Sequence, residues 1–313
     1  MITLSTVAEL LAWCDGARAR GAQVGFVPTM GSFHEGHRSL MRAARAHDDV
    51  VVVSLFVNPT QFAADEDLSH YPRDPNGDAE VAASEGVDVL FTPGVADVYP
   101  DGARTTVHVD GLTEGLCGRS RPGHFDGVTT VVAKLFSMVG PCRAYFGRKD
   151  AQQLAVIRRM TVDLNLPVDV VGCPLVRESD GLAMSSRNAY LSVDERARAT
   201  ALSRSLQAVG DAAVGGERDA ERLRAELLDV LADTPGVRVD YAEIVDAETL
   251  EPLVTVDRDA LVAVAAFVGS TRLIDNVTLA VRGDVVAVDA GVVHPPIGER
   301  AVRALITEEV AVP

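Results

Sequence analysis

The strongest constraint on this chain is the alternation of short, β-branched apolar runs with helical patterns through its first 190 residues. Residues 24–27, 50–56 and 87–91 are brief, largely apolar and bounded by polar turns, as expected of strands buried on both faces. Residues 36–46, 79–85, 128–139 and 150–164 carry helical spacing instead. The last of these sets Leu154, Ile157, Met160 and Leu164 on one stripe. Short runs at 144–146 and 168–171 complete the strands. Such alternation predicts an α/β fold, a parallel sheet with helices on both faces. Ligands of these sheets sit beyond the carboxyl ends of the strands, and the chain's unusual residues cluster there.

After about Asn188 the texture changes. Charged helices at 194–213 and 219–232 flank Gly215-Gly216, and strand-like runs follow at 237–245, 261–268 and 272–279. This predicts a second, smaller α+β domain. The expected division is 1–188, 189–282 and a loose Val-rich tail over 283–313 that contains Pro295-Pro296. The first 21 residues read as an amphipathic helix without the basic start of a signal peptide.

Charge and cysteines narrow the function. With 29 basic and 45 acidic residues the net charge is −16, which repels nucleic-acid backbones and argues against a DNA or RNA partner. A small anion can still be held by a local patch. No apolar run reaches the ~20 residues needed to cross a bilayer. Cys14, Cys117, Cys142 and Cys173 are dispersed, so neither a zinc knuckle nor a disulfide framework is indicated, and a reducing, cytoplasmic location fits best.

Five segments carry candidate chemistry. In Met30-Gly31-Ser32-Phe33-His34-Glu35-Gly36-His37, running from strand into helix, Ser32 and Glu35 have capping-box spacing. The two histidines share the first turn beside free N–H groups, which suits a phosphate. Zinc is the weaker reading, because no third ligand is evident. Gly147-Arg148-Lys149-Asp150 with Gln153 sits at another strand-to-helix junction. Asp150 and Gln153 again have capping-box spacing. Yet Lys149 is one of only two lysines, Lys134 being the other, and a cation at a helix start is unfavourable until an anion joins it. Met184-Ser185-Ser186-Arg187-Asn188 reads as a polyphosphate clamp or a solvated turn. Asn58-Pro59-Thr60-Gln61 offers amides to a polar substrate, or merely shapes its turn. The polar loop from Ser120 to Gly127, before a helix, is open to either reading.

Together the segments PTMGSFHEGH, FVNPTQF, YPRD, SRPGHFDGV, FGRKDAQQL, DGLAMSSRNAYLS and RLIDN resemble the pantothenate synthetase (pantoate–β-alanine ligase) family of HIGH-type nucleotidyltransferases. The resemblance runs from about Val24 to Asn276. It implies a Rossmann-like domain followed by a lid domain, a cytoplasmic homodimer, and three substrates: ATP with Mg²⁺, D-pantoate and β-alanine. It further implies ATP contacts from residues 30–37, Gly147, Arg148, Lys149, Asp150, the Val176 backbone, Met184, Ser185, Ser186 and Arg187. His34, His37 and Lys149 would be catalytic, while Gln61, Gln153 and Asn58 would hold pantoate and β-alanine. No protein ligand for Mg²⁺ is named by it. Two departures stand out: the family often has an acidic residue where Arg148 stands, and this chain runs past the usual end. The competing readings are another HIGH-type adenylyltransferase and a non-catalytic nucleotide sensor. An aminoacyl-tRNA synthetase is disfavoured by the acidity and by the lack of room for an anticodon domain.

Overall fold

The computed structural model describes residues 1–63 and 67–294. Strand β1 (Ile2–Leu4) precedes helix α1 (Val7–Ala19), which Thr6 and Glu9 start with a reciprocal capping box. There follow β2 (Val24–Thr29), α2 (Glu35–His47), β3 (Val50–Leu55), α3 (Pro75–Ser84), β4 (Val89–Phe91) and the short α4 (Val95–Val98). Next come α5 (Leu116–Ser120), α6 (His124–Val139), β5 (Cys142–Gly147), α7 (Ala151–Asp163), β6 (Val168–Cys173) and β7 (Val176–Arg177). The first six strands form one parallel sheet in the order β1-β4-β3-β2-β5-β6. From β2 the chain winds outward through β3 and β4; from β5 it winds the other way to β6. The switch therefore lies between β2 and β5, where a doubly wound sheet opens its ligand crevice.

The predicted parallel sheet is thus present, and the central strands are as dry as their sequences require. Val51, Val52 and Val53 of β3 are all 1% exposed or less. The opening segment holds a strand as well as the expected helix. Residues 2–4 pair with 89–91 at the sheet edge, too short a run to stand out in sequence.

The rest of the chain builds α8 (Val193–Ala199), α9 (Ala201–Val214), α10 (Ala220–Ala232), β8 (Val237–Asp246), β9 (Ala260–Val268), β10 (Thr271–Arg282), β11 (Val285–Asp289) and β12 (Val292–Val293). The helix expected at 194–213 is two helices that meet at Thr200. Four strands make an antiparallel sheet ordered β11-β10-β9-β8. Its faces divide with period two. Ala242, Ile244, Val262 and Val264 pack with Leu206, Leu223 and Leu227 of α9 and α10. Tyr241, Val245, Leu261 and Ala263 join the core of the first sheet beside Leu116 and Phe125. Both faces of β9 are therefore covered, which accounts for its unbroken apolar run, and the second sheet is docked onto the first by apolar contact.

The loose tail expected from residue 283 does not hold for its first part. Val285–Asp289 pairs with β10, and Val292-Val293 lies parallel to β7, because alternating valines there complete an open sheet edge. Residues 295–313, the remainder of that expectation, lie outside the described residues. No described helix is long and apolar enough to cross a membrane.

Candidate active site

The carboxyl ends of β2, β3, β5 and β6 bring four segments to one cleft. Its walls include Met30, His34, His37, Asn58, Gln61, Gly147, Lys149, Asp150, Gln153, Val176, Met184, Ser185, Ser186 and Arg187. Segments that sequence singled out far apart along the chain, from Met30 to Arg187, thereby meet in one place.

Local geometry changes how the histidines work. The capping box expected of Ser32 and Glu35 is absent. Helix α2 is instead capped by His34, whose Nδ1 accepts the Gly36 N–H at 3.1 Å, while His37 Nδ1 accepts the His34 N–H at 3.3 Å. Ser32 and Phe33 donate their N–H groups to the buried Asp78 carboxylate at 2.9 and 2.7 Å. Those two backbone donors are consumed within the protein, and of the first-turn donors expected to face an anion the Gly36 N–H is taken by His34. What remains is sharper. A ring whose Nδ1 accepts carries its proton on Nε2 when neutral, so both imidazoles present an Nε2–H donor from the side opposite the helix. The ring centroids lie 4.1 Å apart with the planes tilted by 36°.

Both rings are neutral at pH 7. Burial, then the charge of Lys149, pushes the His34 pKa down to about 4. Burial, the neighbouring His34 and Lys149 hold His37 well below its ordinary value. With both Nδ1 atoms engaged by backbone, and no three acidic, histidine or cysteine groups converging as a metal site among the described residues, the zinc reading has no support from geometry.

Asp78, which no local sequence pattern singles out, shapes the turn that carries the histidines. It lies on α3, only 3% exposed, and burial raises its carboxyl pKa although the Phe33 and Ser32 N–H groups oppose the shift. It fixes the turn in which Gly31 and Ser32 both take positive φ, 87° and 55°. The only signal available was a carboxylate on a small helix just past the Tyr-Pro-Arg-Asp stretch.

Beside β5, Lys149 is one-fifth exposed and has Asp150 Oδ2 at 3.8 Å. Asp150 caps α7 by position without a side-chain hydrogen bond, so the expected Asp150/Gln153 box does not form. Of the adjacent glutamines, Gln152 is structural. Its Nε2 donates to the carbonyls of Leu112 and Gly115, and its Oε1 accepts the Cys117 N–H, each at 2.9 Å. Gln153 is left facing the cleft. Gly147 has ordinary φ and open space where a side chain would begin. No described protein atom requires glycine there. The other lysine, Lys134, sits 5.8 Å from the centre of the Tyr99 ring.

The 58–61 turn is held from behind. Asn58 is 1% exposed. Its Nδ2 donates to Gln61 Oε1 at 3.2 Å and to the Gly127 carbonyl at 3.0 Å, and its Oδ1 accepts from Thr60 and from the Tyr99 hydroxyl. The amide capacity of Asn58 is therefore spent on protein groups, which favours the turn-shaping reading. The Gln61 carbonyl contacts His124 Nδ1 at 2.8 Å and accepts from Arg121 at 3.3 Å, and its Nε2 lies 3.0 Å from Met30 Sδ. The loop expected over Ser120–Gly127 is confined to residues 121–123, between α5 and α6, and Arg121 with the first residue of α6, His124, anchors Gln61. Gly127 permits this approach: a Cβ there would stand 2.4 Å from the Thr60 carbonyl oxygen. Gly127→Ala should cost about 1–3 kcal/mol through overpacking, read as a lowered melting temperature. An unchanged melt would mean that α6 and the turn separate freely.

In the third segment, Ser185 Oγ accepts the Arg187 N–H at 3.3 Å, and Asn188 Nδ2 donates to Glu178 and to the Ala183 carbonyl. The Val176 carbonyl accepts the Met184 N–H at 2.9 Å, tying the loop to β7. Arg148 pairs with Asp289 of β11 at 2.8 Å, so its unusual charge is answered from the extra strand.

Comparison with known proteins bears on this arrangement. Pantothenate synthetase of Heliobacterium modesticaldum is 55% identical over 281 residues, covering 90% of this chain and all of that protein. The Thermotoga petrophila enzyme of the same name is 53% identical over 279 residues, 89% of this chain and all of its own. The crystal structure of pantothenate synthetase from Thermus thermophilus superposes with a TM-score of 0.84 at 49% identity, covering 88% of this chain and 98% of that one. A pantoate-beta-alanine ligase from Francisella tularensis, solved with beta-gamma ATP and beta-alanine, gives 0.73 at 32% identity, over 88% and 97% of the two chains. A sequence model of one family spans residues 2–278, from the first strand of the parallel sheet into β10. With its fold, its cleft and its relatives in agreement, the chain belongs to the pantoate-beta-alanine ligase family.

Proposed function

We propose that this protein condenses D-pantoate with β-alanine in two steps. The pantoate carboxylate attacks the α-phosphorus of ATP and expels pyrophosphate. The β-alanine amine then attacks the pantoyl adenylate and expels AMP. The observation that carries this reading is the pair of Nε2–H imidazoles facing Lys149 across the β2/β5 switch. It is a neutral-donor and cation set suited to a triphosphate, in which positioning and charge stabilisation do the chemistry.

His34 and His37 donate to phosphate oxygens, and Lys149 with Ser185, Ser186 and Arg187 holds the charge of the leaving pyrophosphate. Gly147 and Asp150 receive the ribose, and the Val176 backbone with Met184 meets the adenine. Gln61 and Gln153 grip pantoate, with Asn58 acting through Gln61. Mg²⁺ would enter with ATP as its metal complex and would supply charge neutralisation to the triphosphate as pyrophosphate leaves. The four free cysteines suit a reducing cytoplasm. Assembly as a homodimer rests on the family resemblance, and sedimentation velocity reads it directly.

The test is pyrophosphate release from ATP. Release should require D-pantoate and not β-alanine, whereas AMP release should require both. ATP turnover indifferent to pantoate would favour a different adenylyltransferase, and ATP binding without any turnover would favour a sensor.

The lowered histidine pKa values give a pH prediction. In the free protein His34 is neutral above pH about 4. A bound triphosphate favours the imidazolium and raises that pKa. Between the free and bound values binding must then take up protons. Calorimetry at pH ~5.5 in buffers of different ionisation heat should show net proton uptake that fades toward pH ~8. Proton release or no exchange at the lower pH would contradict this placement of the phosphates.

A further inference from the structure

The RLIDN segment lies on β10 and borders a recess that it shares with Lys149, Asp150 and Gln153, and one of its side chains reaches the backbone that carries Lys149. Asn276 Nδ2 donates to the carbonyl oxygens of Arg148 at 3.1 Å and of Lys149 at 2.8 Å. The side chain is not needed to keep β10 in its sheet, because the strand stays in register with β9 from Thr271 to Leu279. Asn276 is 7% exposed, so both carbonyls are satisfied by one amide group in a place largely closed to water.

That amide is itself fixed. Arg177 forms a two-pronged, buried ion pair with the adjacent Asp275 at 2.7 and 3.0 Å. Its guanidinium also donates to the Asn276 carbonyl at 3.2 Å and to the Ala290 carbonyl at 2.6 Å. Asp275 Oδ1 in turn accepts the Asn276 N–H at 2.7 Å. The docked second sheet holds this corner of β10 rigidly against the first domain. Two carbonyls pinned in succession fix two peptide planes, and with them the direction in which the Lys149 Cα–Cβ bond leaves the chain.

We propose that Asn276 is the positioning residue for Lys149: the C-terminal sheet sets the phosphate-binding lysine by holding the carbonyls of Arg148 and Lys149. This deepens the ligase reading and rests on it for the role of Lys149. A group held within a fraction of an ångström is worth far more to a charge-stabilising reaction than one that wanders. Removing the amide donor should therefore damage turnover without altering any group that touches substrate.

The experiment compares Asn276→Leu and Asn276→Asp with wild type. Both lack the donor, one without charge and one with an added carboxylate, so either variant that folds suffices. Pantoate-dependent pyrophosphate release should fall roughly 100-fold in each, with the pantoate KM nearly unchanged. The decisive arm is a double-mutant cycle with Lys149→Ala, read by ATP binding in a calorimeter. If Asn276 acts through Lys149, its loss weakens ATP binding in the wild-type background and changes it by less than about twofold in the Lys149→Ala background. Multiplicative losses, or wild-type turnover in both Asn276 variants, would overturn the proposal. A wild-type protein that releases no pyrophosphate with pantoate would instead sink the ligase reading, and the ATP-binding cycle would still decide whether Asn276 positions Lys149.

Discussion

His37→Ala should lower kcat/KM for pantoate-dependent pyrophosphate release by roughly 10²–10³, the usual consequence of losing one donor aimed at developing charge. ATP affinity should fall much less, because the ground-state triphosphate keeps His34, Lys149 and the Ser185–Arg187 loop. His37 Nδ1 is occupied by the His34 N–H, so Nε2 carries the proton, and burial keeps the ring neutral. A neutral donor beside Lys149 can strengthen its bond as charge moves onto the leaving phosphates without first surrendering a counter-ion. The substitution also removes an N-cap partner, worth about 1 kcal/mol of stability. Melting and turnover measured together separate the two effects. A variant within a few-fold of wild type in steady-state turnover would remove His37 from the mechanism.

Lys149→Ala should abolish most adenylate formation while leaving the ligand-free protein as stable as before, or slightly more so. Its ammonium stands at the start of α7, where positive charge opposes the helix dipole by about 0.3–1 kcal/mol. It also depresses both neighbouring imidazoles, and its one described ion-pair partner is Asp150 at 3.8 Å. Without ligand the charge is therefore poorly compensated; with a triphosphate the sign reverses. The same change should raise the His34 and His37 pKa values while leaving both below ordinary histidine, because burial is the larger cause; proton NMR titration of the rings reads this. Lys149→Arg should recover only part of the activity, because a planar fork replaces a compact ammonium. An alanine variant clearly destabilised without ligand, or a fully active arginine variant, would make Lys149 a structural residue.

Much of the fold was legible because buried parallel strands advertise themselves. Residues 50–56 are read as a strand from composition alone, and β3 occupies Val50–Leu55. Short edge elements left no such mark. β1 is three residues long, β12 only two, and each exists because a neighbouring strand offered unpaired backbone. The site segments were legible for a similar reason, since strand-to-helix junctions with two histidines or a rare lysine are unusual. The roles within them were less so. Ser32 and Glu35 fit a capping box by spacing, yet the imidazoles took that position. The backbone donors of Ser32 and Phe33 went to Asp78, 46 and 45 positions away. Asn276 shows the same limit, because its partners lie 127 and 128 positions away and no local pattern records such a contact.

Attack by the pantoate carboxylate on the α-phosphorus would carry one carboxylate oxygen into AMP, and isotope labelling follows that oxygen. With D-pantoate labelled by ¹⁸O in both carboxylate oxygens, full turnover with ATP and β-alanine should place one labelled oxygen in the AMP phosphate and none in pyrophosphate. Mass spectrometry of the nucleotide product reads this. Unlabelled AMP, or label in the β- or γ-phosphoryl products, would contradict an acyl-adenylate route and with it the assignment of the cleft.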